Sequence, residues 1–155
     1  MTALAPVLQA FFTDRLALQR QASGHTVAAY RDALRMLIVF AAERAGKAPS
    51  RLDIADLDAQ TVGAFLSHLE NDRGNSVRTR NARLAAIHSL FQYAAVRHPE
   101  HAADIQRVLA IPPKRYDKAL ITYLTENEIT VLLAAPVQVV RSGAASSAVI
   151  SSSVR

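Results

Sequence analysis

A long helical pattern over residues 76–97 places the strongest constraint on how this chain can fold. Its apolar side chains recur three or four residues apart, as on one face of a helix: Leu84, Ile87, Phe91 and Ala95. The surrounding stretch, residues 74–99, contains four arginines and no acidic residue. A helix that only packs into a core does not need positive charge at its start, whereas a surface that meets phosphates does. The pattern therefore predicts a long core helix whose first turns contact DNA.

Other helical patterns precede and follow this one. The sequence predicts a first helix over residues 5–21, a second that starts with Thr26 as N-cap and ends near Gly46, and a third capped by Asp56 or Asp58. A short fifth helix is expected over residues 100–110. Their expected core residues are Leu8, Phe11, Phe12, Leu16, Tyr30, Leu34, Leu37, Phe40, Ala41, Val62, Phe65, Leu66 and Leu69. Few aromatic residues and much alanine favour close-packed helices, so the fold class is an all-α bundle of four to five helices within residues 1–111.

The sequence after the bundle changes character. Residues 112–124 are expected to form a linker that begins with the stiff pair Pro112-Pro113. Thr125 to Glu128 is a capping-box pattern, which predicts a helix over residues 125–136 that belongs to a second domain. Residues 137–155 are rich in serine and contain no acidic residue, so this tail is expected to be poorly ordered.

Composition narrows the possible functions. The formal net charge is +5 and the isoelectric point about 10.1, which favours a polyanionic partner. The chain contains no cysteine, so thiolate catalysis and cysteine-based metal sites are excluded. His98 and His101 are three residues apart but lack further ligands at suitable spacing, so neither a metal nor another cofactor is expected. Without a signal-peptide pattern or a long apolar run, a cytoplasmic location is expected.

Several segments in order resemble one family. Residues 25–34 (HTVAAYRDAL) resemble the second helix, and residues 76–93 (SVRTRNARLAAIHSLFQY) the long DNA-contacting helix, of the core-binding domain of tyrosine recombinases of the phage-integrase and Xer-like type. Residues 112–115 (PPKR) resemble the interdomain linker of that family. Residues 124–133 (LTENEITVLL) resemble the first helix of its catalytic domain.

The resemblance implies a helical, SAM-like domain that grips double-stranded DNA during site-specific integration and recombination. In this family a second domain cleaves strands through a tyrosine, with arginines and a histidine stabilising the phosphate charge. This sequence has no Thr-Gly-Leu-Arg-type segment after Leu133, no His-x-x-Arg pair, and no tyrosine after Tyr123. The departure begins near Pro136 and suggests a truncated or frame-shifted gene. We therefore expect DNA binding without catalysis, and no catalytic residues.

The candidate DNA contacts lie on two helices and the linker. Residues 76, 79, 80 and 83 are spaced so as to share one helix face. This face either contacts phosphates and base edges or is simply solvated. The same two interpretations apply to the linker cations and to the start of the second helix. The candidates are His25, Thr26, Arg31, Arg35, Ser76, Arg78, Thr79, Arg80, Arg83, Lys114 and Arg115.

Two alternative functions remain open at this stage. The chain could be a helical interaction module that pairs with full-length recombinase protomers on DNA. Phe11 and Phe12 are adjacent, so one of them could face such a partner, unless the buried face is wide enough for both. The chain could also be an active recombinase with an atypical, shortened catalytic part.

Overall fold

The computed structural model describes residues 1–19, 23–116, 130, 133 and 134. The chain divides into two compact units, Met1–Tyr116 and Asp117–Arg155. In the second unit the described residues are helical and exposed, and the rest of the helix predicted over 125–136 lies outside the described residues, as does the tail 137–155. The boundary between the units falls inside the segment that we expected to be the linker.

The first unit is built from helices, as the sequence predicts. Five α-helices lie in its described residues: α1 (Leu4–Ala10), α2 (Gly24–Ala45), α3 (Ala59–Asn71), α4 (Val77–Arg97) and α5 (Ala102–Leu109). A π-helical segment, Phe11–Gln19, follows α1 directly, and 3₁₀ turns occupy Pro49–Arg51, Ile54–Asp56 and Pro99–His101. In the part of the chain that is described there is no β-strand, only an isolated antiparallel bridge between Ala3 and Asp53. The all-α fold class is confirmed.

Short polar side chains set where the helices begin. The Asp58 carboxylate accepts a hydrogen bond from the Thr61 amide at 2.7 Å, which caps α3 as predicted. The predicted start of α2 is wrong by one turn, because Ser23 rather than Thr26 is its N-cap. The Ser23 hydroxyl accepts from the Thr26 amide at 3.3 Å, so Thr26 lies within the first turn. At the other end, Gly46 adopts a left-handed conformation with φ of 63° and terminates α2.

The predicted apolar faces meet in one core. The third and fourth predicted helices contribute the fully buried Val62, Phe65 and Ile87, and α2 contributes Leu37. Such tight burial is what fixes the rotation of α4 about its own axis, and with it the direction of its polar side chains. Five further residues predicted for the core are only partly buried at its edge: Leu8, Phe12, Tyr30, Phe40 and Ala95.

The adjacent phenylalanines of the first helical segment both pack inward. Phe11 is fully buried, and its ring contacts those of Phe12 at 5.4 Å and Tyr93 at 5.7 Å between centroids. A π-helix has more residues per turn than an α-helix, so neighbouring side chains diverge less in direction. Phe12 is therefore held half-buried against the core. The wide buried face accounts for the pair without a partner.

Candidate nucleic-acid interface

The start of α4 presents polar and basic side chains. The Ser76 hydroxyl caps the helix by accepting from the Thr79 amide at 3.2 Å, and the two hydroxyl oxygens lie 3.1 Å apart. Arg78 is exposed, Thr79 is half-buried, and Arg83 is half-buried one turn further on. Ser76 thus caps α4 where the helical pattern was expected to begin, and the first turn of α4 carries hydroxyls and positive charge together.

The start of α2 has a similar composition. His25 and Thr26 are exposed in its first turn, and Arg31 and Arg35 are exposed one and two turns later. The hydroxyl of Thr26 lies 3.0 Å from that of Ser23, so it supports the cap as well as facing solvent. His25 and Thr26 lie where the free amides of a helix start favour an anion, whereas Arg31 and Arg35 lie further along α2.

An open cleft of about 540 Å³ brings α2 and α4 together. Arg35 of α2 and Arg83 of α4 line it, and Arg73 from the turn after α3 adds a third guanidinium. The remaining lining residues are Asp32, Met36, Val39, Phe40, Glu43, Phe65 and His68. Sequence reasoning selected Arg35 and Arg83 separately, but it missed Arg73. The signal for Arg73 was its place in the turn that leads into α4.

The arginines of this cleft are incompletely satisfied by the protein. Within the described residues, Arg35 and Arg83 form no ion pair, and the Nε atom of Arg83 is enclosed without a hydrogen-bond acceptor. Arg73 donates to the Met36 sulfur at 3.3 Å, which is a weak acceptor. Because no carboxylate pairs with Arg35 or Arg83 in the described part of the chain, their positive charge is not neutralised there and can attract an acceptor from outside. The cleft could therefore take anionic oxygens along its arginine side.

Arg80 does not lie on an exposed face, which corrects the expectation that it shares one with Ser76, Thr79 and Arg83. It is only 7% exposed. Its Nε atom lies 3.6 Å from the Glu70 carboxylate, an ionic contact too long for a hydrogen bond. The physical reason is spacing, since Arg80 precedes Leu84 by four residues and so lies on the apolar stripe.

Lys114 is tied to the bundle rather than free. Its ammonium lies 2.7 Å from the same Glu70 carboxylate that faces Arg80. Asn81 pairs with both backbone groups of Lys114: its amide nitrogen donates to the Lys114 carbonyl at 2.7 Å, and its oxygen accepts from the Lys114 amide at 3.0 Å. Arg115 is exposed. Sequence reasoning missed Asn81 and Glu70.

The two histidines considered as metal ligands have structural contacts. His98 lies 3.1 Å from the Glu100 carboxylate, and His101 lies 3.0 Å from the Thr2 hydroxyl. Glu100 also accepts from Thr2 at 3.2 Å, so the group ties the chain start to the turn before α5. No cluster of three or more metal-ligating side chains occurs among the described residues. In that same part of the chain, no helix is both long and apolar enough to cross a membrane.

The helices of the first unit form an all-α bundle, as expected for a SAM-like domain, and sequence comparison agrees. Residues 10–98 match the phage integrase N-terminal SAM-like domain, and the chain belongs to this family. Two proteins of Sinorhizobium fredii that are named as integrases/recombinases, y4rC and y4rD, are 56% and 48% identical over 133 residues. Tyrosine recombinase XerD of Pasteurella multocida is 32% identical over 127 residues.

These relatives are longer than the chain. The matches cover 86% of the chain with y4rC and y4rD and 81% with XerD, but only 40%, 47% and 39% of those proteins. The chain thus spans less than half the length of the curated relatives that it matches. No solved structure matches this chain with the significance that these relatives reach.

Proposed function

We propose that this chain binds double-stranded DNA through α2 and α4, as the core-binding half of a site-specific recombinase. The cleft shared by Arg35 and Arg83 carries the proposal, because it joins cations from both helices along one surface. A duplex presents phosphates at regular intervals, so cations on two packed helices can meet one backbone together. The exposed Arg31 and Arg78 extend this cationic surface.

The remaining candidates have supporting roles in this proposal. His25, Thr26, Ser76 and Thr79 lie at the two helix starts, where amides and hydroxyls can donate to phosphates. Arg115 is the linker cation without an ion pair in the described part of the chain, and we include it as a phosphate contact. Arg80 and Lys114 are left out as primary contacts because Arg80 is buried and both side chains already pair with Glu70.

We propose further that this segment does not itself cleave DNA. The support comes from the sequence, which contains no His-x-x-Arg pair and no tyrosine after Tyr123. Phosphoryl chemistry of the family's kind needs cations at the non-bridging oxygens and a placed nucleophile. Partnership with other recombinase protomers on DNA is part of the same proposal, and it rests on family membership.

The decisive experiment is a salt titration of DNA binding. Fluorescence anisotropy of the full chain with a mixed-sequence duplex would be recorded across salt concentrations for the wild type and for Arg35→Ala/Arg83→Ala. If both arginines meet phosphates, the slope of log K against log salt should become shallower by about 1.8, since each phosphate contact contributes about 0.9. The affinity at low salt should fall for every duplex sequence alike.

A matched control separates local contact from general charge. Arg51→Ala/Arg107→Ala removes the same two positive charges at exposed positions outside the cleft. This control should keep the wild-type slope. Equal slopes for the two double variants, or no binding by the wild type at low salt, would refute the assignment of the interface to α2 and α4.

A further inference from the structure

The backbone of the predicted linker is bound by one side chain of α4. Asn81 makes two hydrogen bonds to Lys114, 33 residues away, through its amide nitrogen at 2.7 Å and its oxygen at 3.0 Å. The geometry resembles one rung of a β-ladder, with a side-chain amide in place of a second strand. A linker residue on the surface would ordinarily leave both of these backbone groups to water.

Two further contacts hold Asn81 and Lys114 in place. Arg80 donates from Nη1 to the Asn81 oxygen at 3.1 Å, which fixes the orientation of the amide. The Glu70 carboxylate binds the Lys114 ammonium at 2.7 Å. Pro112 and Pro113 come directly before Lys114 and restrict the backbone on that side. The linker is thus constrained on its N-terminal side by proline rings and at Lys114 by α4.

We propose that Asn81 is a positioning residue that clamps the linker to the first turns of α4, so that the chain leaves the bundle at a fixed place and in a fixed direction. The buried Arg80 acts here through Asn81, and its role is to orient the clamp. Glu70 adds an ionic contact at the side chain of Lys114, whereas Asn81 holds its backbone. The clamp does not depend on the proposed DNA binding, because every contact in it lies within the protein.

Limited digestion by trypsin, without DNA, tests the clamp directly. Lys114 and Arg115 are both trypsin sites, and a protease must lift the backbone away from Asn81 to cleave there. Each hydrogen bond of this kind shifts an opening equilibrium by about fivefold. Cleavage of the full chain after Lys114 and Arg115, followed by mass spectrometry, should therefore be about 10- to 25-fold faster in Asn81→Ala than in the wild type.

Conservative and control variants make the test specific. Asn81→Asp keeps the acceptor for the Lys114 amide but loses the donor to its carbonyl, so its cleavage rate should be intermediate. Lys114→Ala removes the ionic contact but not the backbone pair, so cleavage after Arg115 should remain slow. Asn75→Ala is the matched control, because Asn75 is bonded through its backbone amide to Leu69. Its cleavage rate should equal that of the wild type.

A direct measurement on the wild type keeps the proposal testable if Asn81→Ala fails to fold. In hydrogen exchange, the Lys114 amide should exchange at least about tenfold more slowly than in an unstructured peptide, because it donates to Asn81. Exchange of this amide at the unstructured rate would overturn the clamp. So would equal cleavage rates in the wild type and in a folded Asn81→Ala variant.

Discussion

The ion pair between Arg80 and Glu70 gives a sharp prediction, because the two partners should not cost the same when removed. Their side chains are 9% and 16% exposed. Glu70→Gln leaves the Arg80 cation enclosed without a counter-charge, which costs about 3–5 kcal/mol of unfolding free energy. Arg80→Met leaves Glu70 paired with Lys114 at 2.7 Å and keeps an apolar stem in place. Its cost should be about 1 kcal/mol, mainly the lost bond to Asn81.

Urea denaturation followed by circular dichroism would measure both variants and the double variant. The double variant should recover most of the loss caused by Glu70→Gln, because it removes the uncompensated cation. If both single variants unfold with the wild-type midpoint, Arg80 is solvated and our assignment of it to the interior is wrong. In that case Arg80→Met should instead weaken DNA binding, as the sequence pattern alone suggested.

Two further predictions concern stability away from the interface. Ser89 is 4% exposed, and its hydroxyl has no hydrogen-bond partner in the described part of the chain. Ser89→Ala should therefore raise the unfolding free energy by about 1 kcal/mol. A lower melting temperature for this variant would contradict the prediction. Burial of Asp56 raises its pKa, but the Asp53 amide and the Lys47 ammonium outweigh burial and lower it overall from 3.8. Its stabilising contribution is therefore complete above that value and is lost as the pH falls through the lower folded-state pKa. Below about pH 4, the unfolding free energy of Asp56→Asn should therefore fall less steeply with pH than that of the wild type. Parallel curves of unfolding free energy against pH for the two proteins would refute this.

Local signals in the sequence were sufficient to place most of the helices. The sequence placed the start of α3 at Asp56 or Asp58 and that of α4 at residue 76, because a cap binds an amide only three residues away, and Asp58 and Ser76 are the observed caps. Gly46 was identified as a stop because glycine tolerates the left-handed conformation that ends a helix. Thr26 was misplaced because Ser23 and Thr26 are both good caps, and the choice between them depends on where α2 packs.

The contacts of the candidate interface depend on distances that sequence patterns do not contain. The Asn81 side chain meets a residue 33 positions later, and no periodicity links the two. The cleft between Arg35 and Arg83 exists because α2 packs against α4. By contrast, the burial of Arg80 could have been inferred from the spacing to Leu84. It was missed because a charged side chain was assumed to face solvent.

The buried side chain of Arg80 helps to explain how the neighbouring arginines face outward. An α-helix turns about 100° per residue, so Arg83 lies about 60° from Arg80 around the axis and Arg78 about 160°. When Arg80 faces Glu70 and the core, Arg83 is carried to the edge of the cleft and Arg78 to the opposite, solvent side. Their burial follows this order, with Arg80 buried, Arg83 half-buried and Arg78 exposed. The arginines of this helix start thus divide between one that forms an interior ion pair and outer cations that are available for the proposed contact with DNA.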